Sequence, residues 1–227
     1  MSRKRIPKRI NPKNSSYARK TIHRHGREVV KYIKRDDWEE MIRLCLNERD
    51  RFNPHSAAYY RWYRNYIILL LGVNTGMRIT TLLESIPRDF AGGEVTLTEH
   101  KTGKRMQYRM QEDVYQILKE YIEFYGFKNN DYMFLRKMGS QNDIMTREAA
   151  WHMIKGLAKK ANIEYIIACH SLRKSFGRWM YDETHDLLLV QNLLMHNSAE
   201  ETMRYICLEE SEVEKVRESI GYLSKYY

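Results

Sequence analysis

The chain has 227 residues, 43% hydrophobic and 30% charged, with a net charge of +10. Those proportions are globular, and the length suits one large domain, alone or with an appendage. The longest apolar run, Tyr66 to Val73, is too short to cross a membrane, and no apolar core follows the basic N-terminus as a secretory signal would require. Three unpatterned cysteines, Cys45, Cys169 and Cys207, offer no disulfide framework, which points to a reducing, cytoplasmic compartment.

The positive charge is unevenly placed. Residues 1–35 hold thirteen Lys/Arg against one acid, Glu28, for a net of +12; residues 36–227 hold 26 basic and 28 acidic residues, for −2. Basicity therefore belongs to the leading segment. Residues 1–28 mix that charge with Pro7, Pro12, Asn11, Asn14, Ser15 and Ser16 and show no periodic apolar face, so they read as an extended or disordered arm. A basic arm on a near-neutral body fits a polyanion, double-stranded DNA first, with Arg3, Lys4, Arg5, Lys8 and Arg9 as candidate backbone contacts. The bland alternative is a solubilising tail.

From Asp37 onward, Trp38, Met41, Ile42 and Cys45 recur at helical spacing, with Asp36 or Asp37 as the expected N-cap. Residues 56–72 are apolar almost all round, so this helix should lie at the centre of the core. Asn74-Thr75-Gly76 ends it. A new helix should then begin with Arg78 in its first turn, where a cation opposes the helix dipole and needs another partner. Pro87 closes that helix. Residues 94–98 and 105–109 alternate at period two around a Gly-containing turn, which predicts a hairpin holding Lys101 and Lys104 at its tip.

Residues 111–125 form an amphipathic helix, and residues 132–135 a short strand or extended segment. Thr146 caps a helix running to about Ala161, whose Arg147, Lys155, Lys159 and Lys160 read first as a solvated face and second as contacts to a DNA backbone. Helices over 170–182, 186–195 and 199–207 follow, and Val213, Val216, Ile220 and Leu223 mark a terminal one. The expected fold class is mainly α with a small antiparallel β-sheet, an α+β domain over residues 36–227 behind the arm of residues 1–35.

The segment from Ala168 to Tyr205 concentrates the chemistry. His170 and Arg173 stand three apart on one helix face. Ser198 and Glu201 have the spacing of a capping box, so a helix starting there carries Tyr205 two turns in and leaves His196 in the preceding turn. Cationic donors beside a phenol suit an anionic substrate in which a bond to phosphorus is exchanged. A metal site built from Cys169, His170, His196 and Cys207 is the weaker reading, because adjacent Cys169 and His170 lack ligand spacing.

Thr75-Gly76-Met77-Arg78, Lys101-Thr102-Gly103-Lys104, His170-Ser171-Leu172-Arg173, and Leu194-Met195-His196-Asn197-Ser198 followed by Tyr205 occur in one order across residues 75 to 205. Together they resemble the tyrosine recombinases, the phage-integrase and chromosome-dimer-resolvase group. The resemblance implies that family's catalytic-domain fold. It also implies site-specific recombination or integration through a 3′-phosphotyrosyl intermediate, with neither ATP nor metal and with no cofactor. Tyr205 would be the nucleophile and Arg78 and Arg173 would hold the phosphate. Lys101 would protonate the leaving 5′-oxygen, His170 would assist proton transfer, and His196 would donate to the phosphate; Lys104 is a further candidate DNA contact. The family acts as a homotetramer on DNA, with a C-terminal helix docked on a neighbour, and residues 209–227 suit that part.

Three departures stand out. Thr81 occupies the place of the family's usual acid, with Glu84 one turn later. Met195 replaces the usual glycine before the second histidine. The family's helical core-binding domain is not seen ahead of the catalytic body, so the arm is expected to supply backbone affinity instead. A nicking-closing topoisomerase is a nearby reading with the same chemistry. The alternative from another class is a catalytically silent DNA-binding regulator or decoy that kept the fold.

Overall fold

The computed structural model describes residues 30–98, 103, 105–140 and 143–206. Among them the helices are α1 (Arg35–Arg49), α2 (Ala57–Thr75), α3 (Ile79–Leu83), α4 (Glu112–Tyr125), α5 (Arg147–Lys160), α6 (Cys169–Thr184), α7 (Leu187–Leu193) and α8 (Ala199–Ile206). The strands β1 (Glu94–Thr98) and β2 (Arg105–Arg109) pair antiparallel, Glu94 opposite Arg109 and Thr98 opposite Arg105. Mainly helical with one two-stranded sheet is the class the sequence leads one to expect.

α2 is the axis of the core. Ser56 caps it by accepting the Tyr59 N–H, and Ile67, Ile68, Leu69 and Leu71 are fully buried. α1 lies on one flank, where the Trp38 indole donates to the Leu69 carbonyl at 3.4 Å. α6 crosses the other so closely that a Cβ on Gly72 would meet Leu172 at 2.7 Å. Packing of this kind explains a helix that is apolar almost all round.

One expectation is corrected and one open choice is decided. The N-cap of α1 is Lys34, with Asp36 and Asp37 inside its first turn, where they favour the positive end of the dipole. The segment 132–135 makes only an isolated bridge, Leu135 to Ile144. It is the extended alternative, held by backbone bonds from Met133 N–H to the Ser85 carbonyl and from Met145 N–H to the Phe134 carbonyl, and by side chains. Tyr121 donates to the Met133 carbonyl at 2.9 Å, Tyr60 exchanges hydrogen bonds with the Leu135 backbone at 3.0 and 3.1 Å, and Arg64 donates to the Leu135 carbonyl at 2.6 Å.

Residues 30–35, counted with the arm on charge alone, pack on the body. Ile33 is fully buried, its N–H donates to the Ser175 hydroxyl at 2.8 Å, and the Lys31 N–H donates to the Ile166 carbonyl at 2.9 Å. Residues 1–29 and the expected terminal helix lie outside the described residues. No helix among the described residues is long and apolar enough to cross a membrane.

Candidate active site

The first wall of the site is the junction between α2 and α3. Gly76 caps α2 in the left-handed region at φ 62°, where a Cβ would also lie 2.4 Å from the Phe176 ring. Its carbonyl accepts from Arg173 Nη1 at 2.7 Å. Arg78 is the N-cap of α3 rather than a residue of its first turn, and is half-buried. The Tyr108 hydroxyl donates to the Thr75 carbonyl at 2.7 Å, so β2 is tied to the wall that bears Arg78.

The second wall is the start of α6, which carries His170 and Arg173. Arg173 is 3% exposed; besides Gly76 it donates through Nη2 to the Leu194 carbonyl, and its buried Nε has no hydrogen-bond partner among the described residues. A buried donor without an acceptor is costly unless an acceptor arrives. Burial, and then the charge of Arg78, lower the Arg173 pKa from 12.5 to about 10, while Tyr205 and Glu201 pull it partly back. His170 is lowered by desolvation and then by Arg173, Arg147, Lys174 and Arg78.

The third wall is the turn between α7 and α8. Met195 holds it at φ 51°, a left-handed conformation that costs a side chain roughly 1–2 kcal/mol. This is where the sequence departs from glycine, and the turn keeps its shape, presenting the Leu194 carbonyl to Arg173. His196 follows, 5% exposed, with Nδ1 3.0 Å from the Thr202 hydroxyl and Nε2 3.8 Å from the Glu201 carboxylate. Burial, then the charge of Arg173, lower its pKa to about 4. The imidazole is therefore neutral at neutral pH.

Tyr205, on α8, closes the cluster. Its ring centroid is 4.5 Å from that of His196 and 6.2 Å from that of His170, and the Arg173 guanidinium and the Lys174 ammonium each lie 5.9 Å from it. Ser198 caps α8 by accepting the Glu201 N–H at 3.2 Å; the Glu201 carboxylate answers to the Asn197 N–H at 3.4 Å, one residue ahead of the usual reciprocal partner.

The structure thus gathers Arg78, His170, Arg173, His196 and Tyr205 from three separate parts of the chain. Lys101, Lys104, Arg3, Lys4, Arg5, Lys8 and Arg9 lie outside the described residues, as does Cys207. Thr81 and Glu84 line a separate cavity of about 360 Å³ with Met77, Asp89, Thr96 and Tyr132, away from Tyr205. Sequence reasoning missed Lys174, Glu201 and Thr202 as members of the cluster, and read Arg147 as part of a solvated face or a DNA-backbone contact, although its charge bears on His170. The only available signal for the first three was their placement beside Arg173 or on the face of α8 that carries Tyr205.

A fold of packed helices with one hairpin, bearing a phenol beside clustered cations, defines a class of domain built to hold an anion against a tyrosine. The model of the phage integrase family matches residues 31–212, and the chain belongs to that family. It is 31% identical over 148 residues to the probable integrase/recombinase YoeC of Bacillus subtilis, covering 65% of this chain and 79% of that one. It is 30% identical over 168 residues to the tyrosine recombinase XerD of Staphylococcus saprophyticus, covering 71% of this chain and 56% of that protein. Among solved structures, the XerH site-specific recombinase in its post-cleavage complex with palindromic difH superposes at a TM-score of 0.66 and 22% identity, over 86% of this chain and 54% of that one. The chain therefore spans little more than half the length of the XerD and XerH proteins it matches.

Proposed function

We propose that this protein is a site-specific DNA strand transferase, a recombinase or integrase working through a covalent phosphotyrosyl intermediate. The observation that carries the proposal is the placement of the Tyr205 ring against His196, His170 and Arg173, with the Arg78 charge bearing on all three cationic or basic neighbours. The Tyr205 oxygen attacks the scissile phosphorus. The bond from phosphorus to the 5′-oxygen breaks, and its electron pair leaves with that oxygen, which takes a proton from Lys101. His170 receives the phenolic proton. Arg78 and Arg173 neutralise the non-bridging oxygens in the pentavalent transition state, and His196 donates to one of them. The 5′-hydroxyl of a second strand then reverses the step, because the phosphotyrosyl ester conserves the bond energy.

The arm of residues 1–29 supplies affinity for the duplex through Arg3, Lys4, Arg5, Lys8 and Arg9, with Lys104 at the hairpin. Support comes from its point of attachment. The carbonyl of Val30, the first described residue, accepts from Lys174 Nζ at 2.7 Å, and that same ammonium lies over the Tyr205 ring. The arm is therefore rooted beside the phenol. On DNA the protein works as a homotetramer in the cytoplasm, with residues 209–227 docked on a neighbour.

The test is incubation with a nicked suicide duplex that traps the covalent step. A 3′-linked adduct that disappears in Tyr205→Phe is the expected result; DNA binding without adduct would make the chain a silent regulator. Truncation before Val30 should lower the salt dependence of DNA binding, and an unchanged slope would remove the arm from the account. The cut belongs there rather than at Arg35, since Ile33 is part of the core.

A further inference from the structure

We propose that Thr202 is a positioning residue that holds His196 in the Nε2–H tautomer, so that the buried imidazole offers a donor, not a lone pair, to the anion. The inference deepens the proposed reaction and rests on it for its consequence, though not for its geometry. Thr202 is fully buried on α8, three residues before Tyr205. Its hydroxyl has one hydrogen and two acceptors in reach, His196 Nδ1 at 3.0 Å and the Ser198 carbonyl at 3.3 Å.

The choice between them follows from what each leaves unsatisfied. The Ser198 carbonyl already accepts the Thr202 N–H at 3.3 Å, in the ordinary helical manner, so it loses nothing if the hydroxyl turns away. Donation to His196 Nδ1 places the hydrogen of the neutral ring on Nε2, which faces the Glu201 carboxylate at 3.8 Å, an attractive pairing. The opposite arrangement would put a buried lone pair on Nε2 against that carboxylate, two acceptors with no hydrogen between them. Nε2 is buried and makes no hydrogen bond among the described residues. It is thus a donor held in reserve between Arg173, Arg78, Arg204, Glu201 and Tyr205, the charged and titratable groups that surround it. An imidazole with a lowered pKa is neutral when the phosphate arrives, so its tautomer alone decides whether it attracts or repels that anion.

The experiment uses the full chain labelled with ¹⁵N at histidine, at neutral pH and without DNA, with the His196 signals identified by their loss in His196→Gln. Wild type and Thr202→Ser should show Nε2 protonated and Nδ1 bare; Thr202→Val, which keeps the shape and loses the hydroxyl, should shift towards the opposite tautomer. In single-turnover adduct formation on the nicked duplex, Thr202→Val should be slower by roughly 10- to 100-fold, as for other partners that orient an imidazole. Thr202→Ser should restore most of the rate, and DNA affinity should hold in both. A wild-type His196 protonated on Nδ1 overturns the proposal, as does a serine variant no faster than the valine one. If wild type forms no adduct at all, the reaction itself is wrong, and the tautomer measurement still decides the role of Thr202.

Discussion

Arg64 and Arg173 are buried to a similar degree, 6% and 3% exposed, and both direct their guanidinium groups at backbone carbonyls. Arg64 binds the Leu135 and Arg136 carbonyls at 2.6 and 3.2 Å and the Asn65 amide oxygen at 3.2 Å, with the Tyr60 ring 5.6 Å away. Its pKa is lowered by burial, and Tyr60 and Tyr121 work against that shift. Arg173 binds Gly76 and Leu194, but the strongest charge on it is a second arginine, Arg78. Among the described residues each leaves a buried Nε without a partner, so an orphaned donor does not by itself mark a binding site. What separates the two is the company. Around Arg64 the phenols of Tyr60 and Tyr121 offset burial before the weaker charge of Arg61 counts; on Arg173 the charge of Arg78 comes first after burial, and Tyr205 and Glu201 only partly offset it.

Substitutions should divide along that line. Tyr205→Phe should eliminate the covalent adduct while the protein unfolds at the wild-type temperature, read by gel and by thermal melt. Arg173→Lys should slow adduct formation by about 10²–10³, the cost of losing one donor to a developing charge, because an ammonium cannot replace the planar fork. Arg64→Met should leave the rate per folded molecule unchanged and lower stability by about 1–3 kcal/mol in urea unfolding, by orphaning the carbonyls it serves. Equal loss of rate in the Arg64 and Arg173 variants would erase the distinction drawn here.

The pH dependence of stability sharpens the same contrast. The His196 pKa falls from 6.5 in the unfolded chain to about 4 in the folded one, so between these values the unfolded chain binds more protons. Stability should drop as pH falls from 6.5 towards 4, by on the order of 1–3 kcal/mol. His170, shifted in the same direction, adds to the slope. His196→Gln should flatten the part that is its own, measured as unfolding midpoint against pH. The smallest effect is expected at Met195, where glycine should relieve the left-handed backbone strain but loosen the unfolded chain, for a net gain of under about 1 kcal/mol.

Much of this molecule is written in local patterns. The apolar circumference of α2, the stop at Gly76, the hairpin and the Ser198 cap each follow from a few neighbouring residues, because helical and strand periodicity and backbone capping act over short distances. The ordered motifs also named Arg78, His170, Arg173, His196 and Tyr205. The 132–135 segment was less legible, since many of its hydrogen bonds go to Tyr60, Arg64 and Ser85, far away in sequence. Charge counting likewise drew the arm too long, because the burial of Ile33 against α6 depends on Ser175.

Sequence by itself determined the family, the order of the elements and the residues to be tested as reacting groups, because these rest on residue type and spacing. Tertiary structure alone decided that the α2–α3 junction, the start of α6 and the turn before α8 face one another, so that their charges add. It also decided the environment of His196, whose protonation and hydrogen-bond partners depend on desolvation and on Thr202, Glu201 and Arg173 together. Desolvation and charge coupling act through space, and spacing along the chain does not encode them.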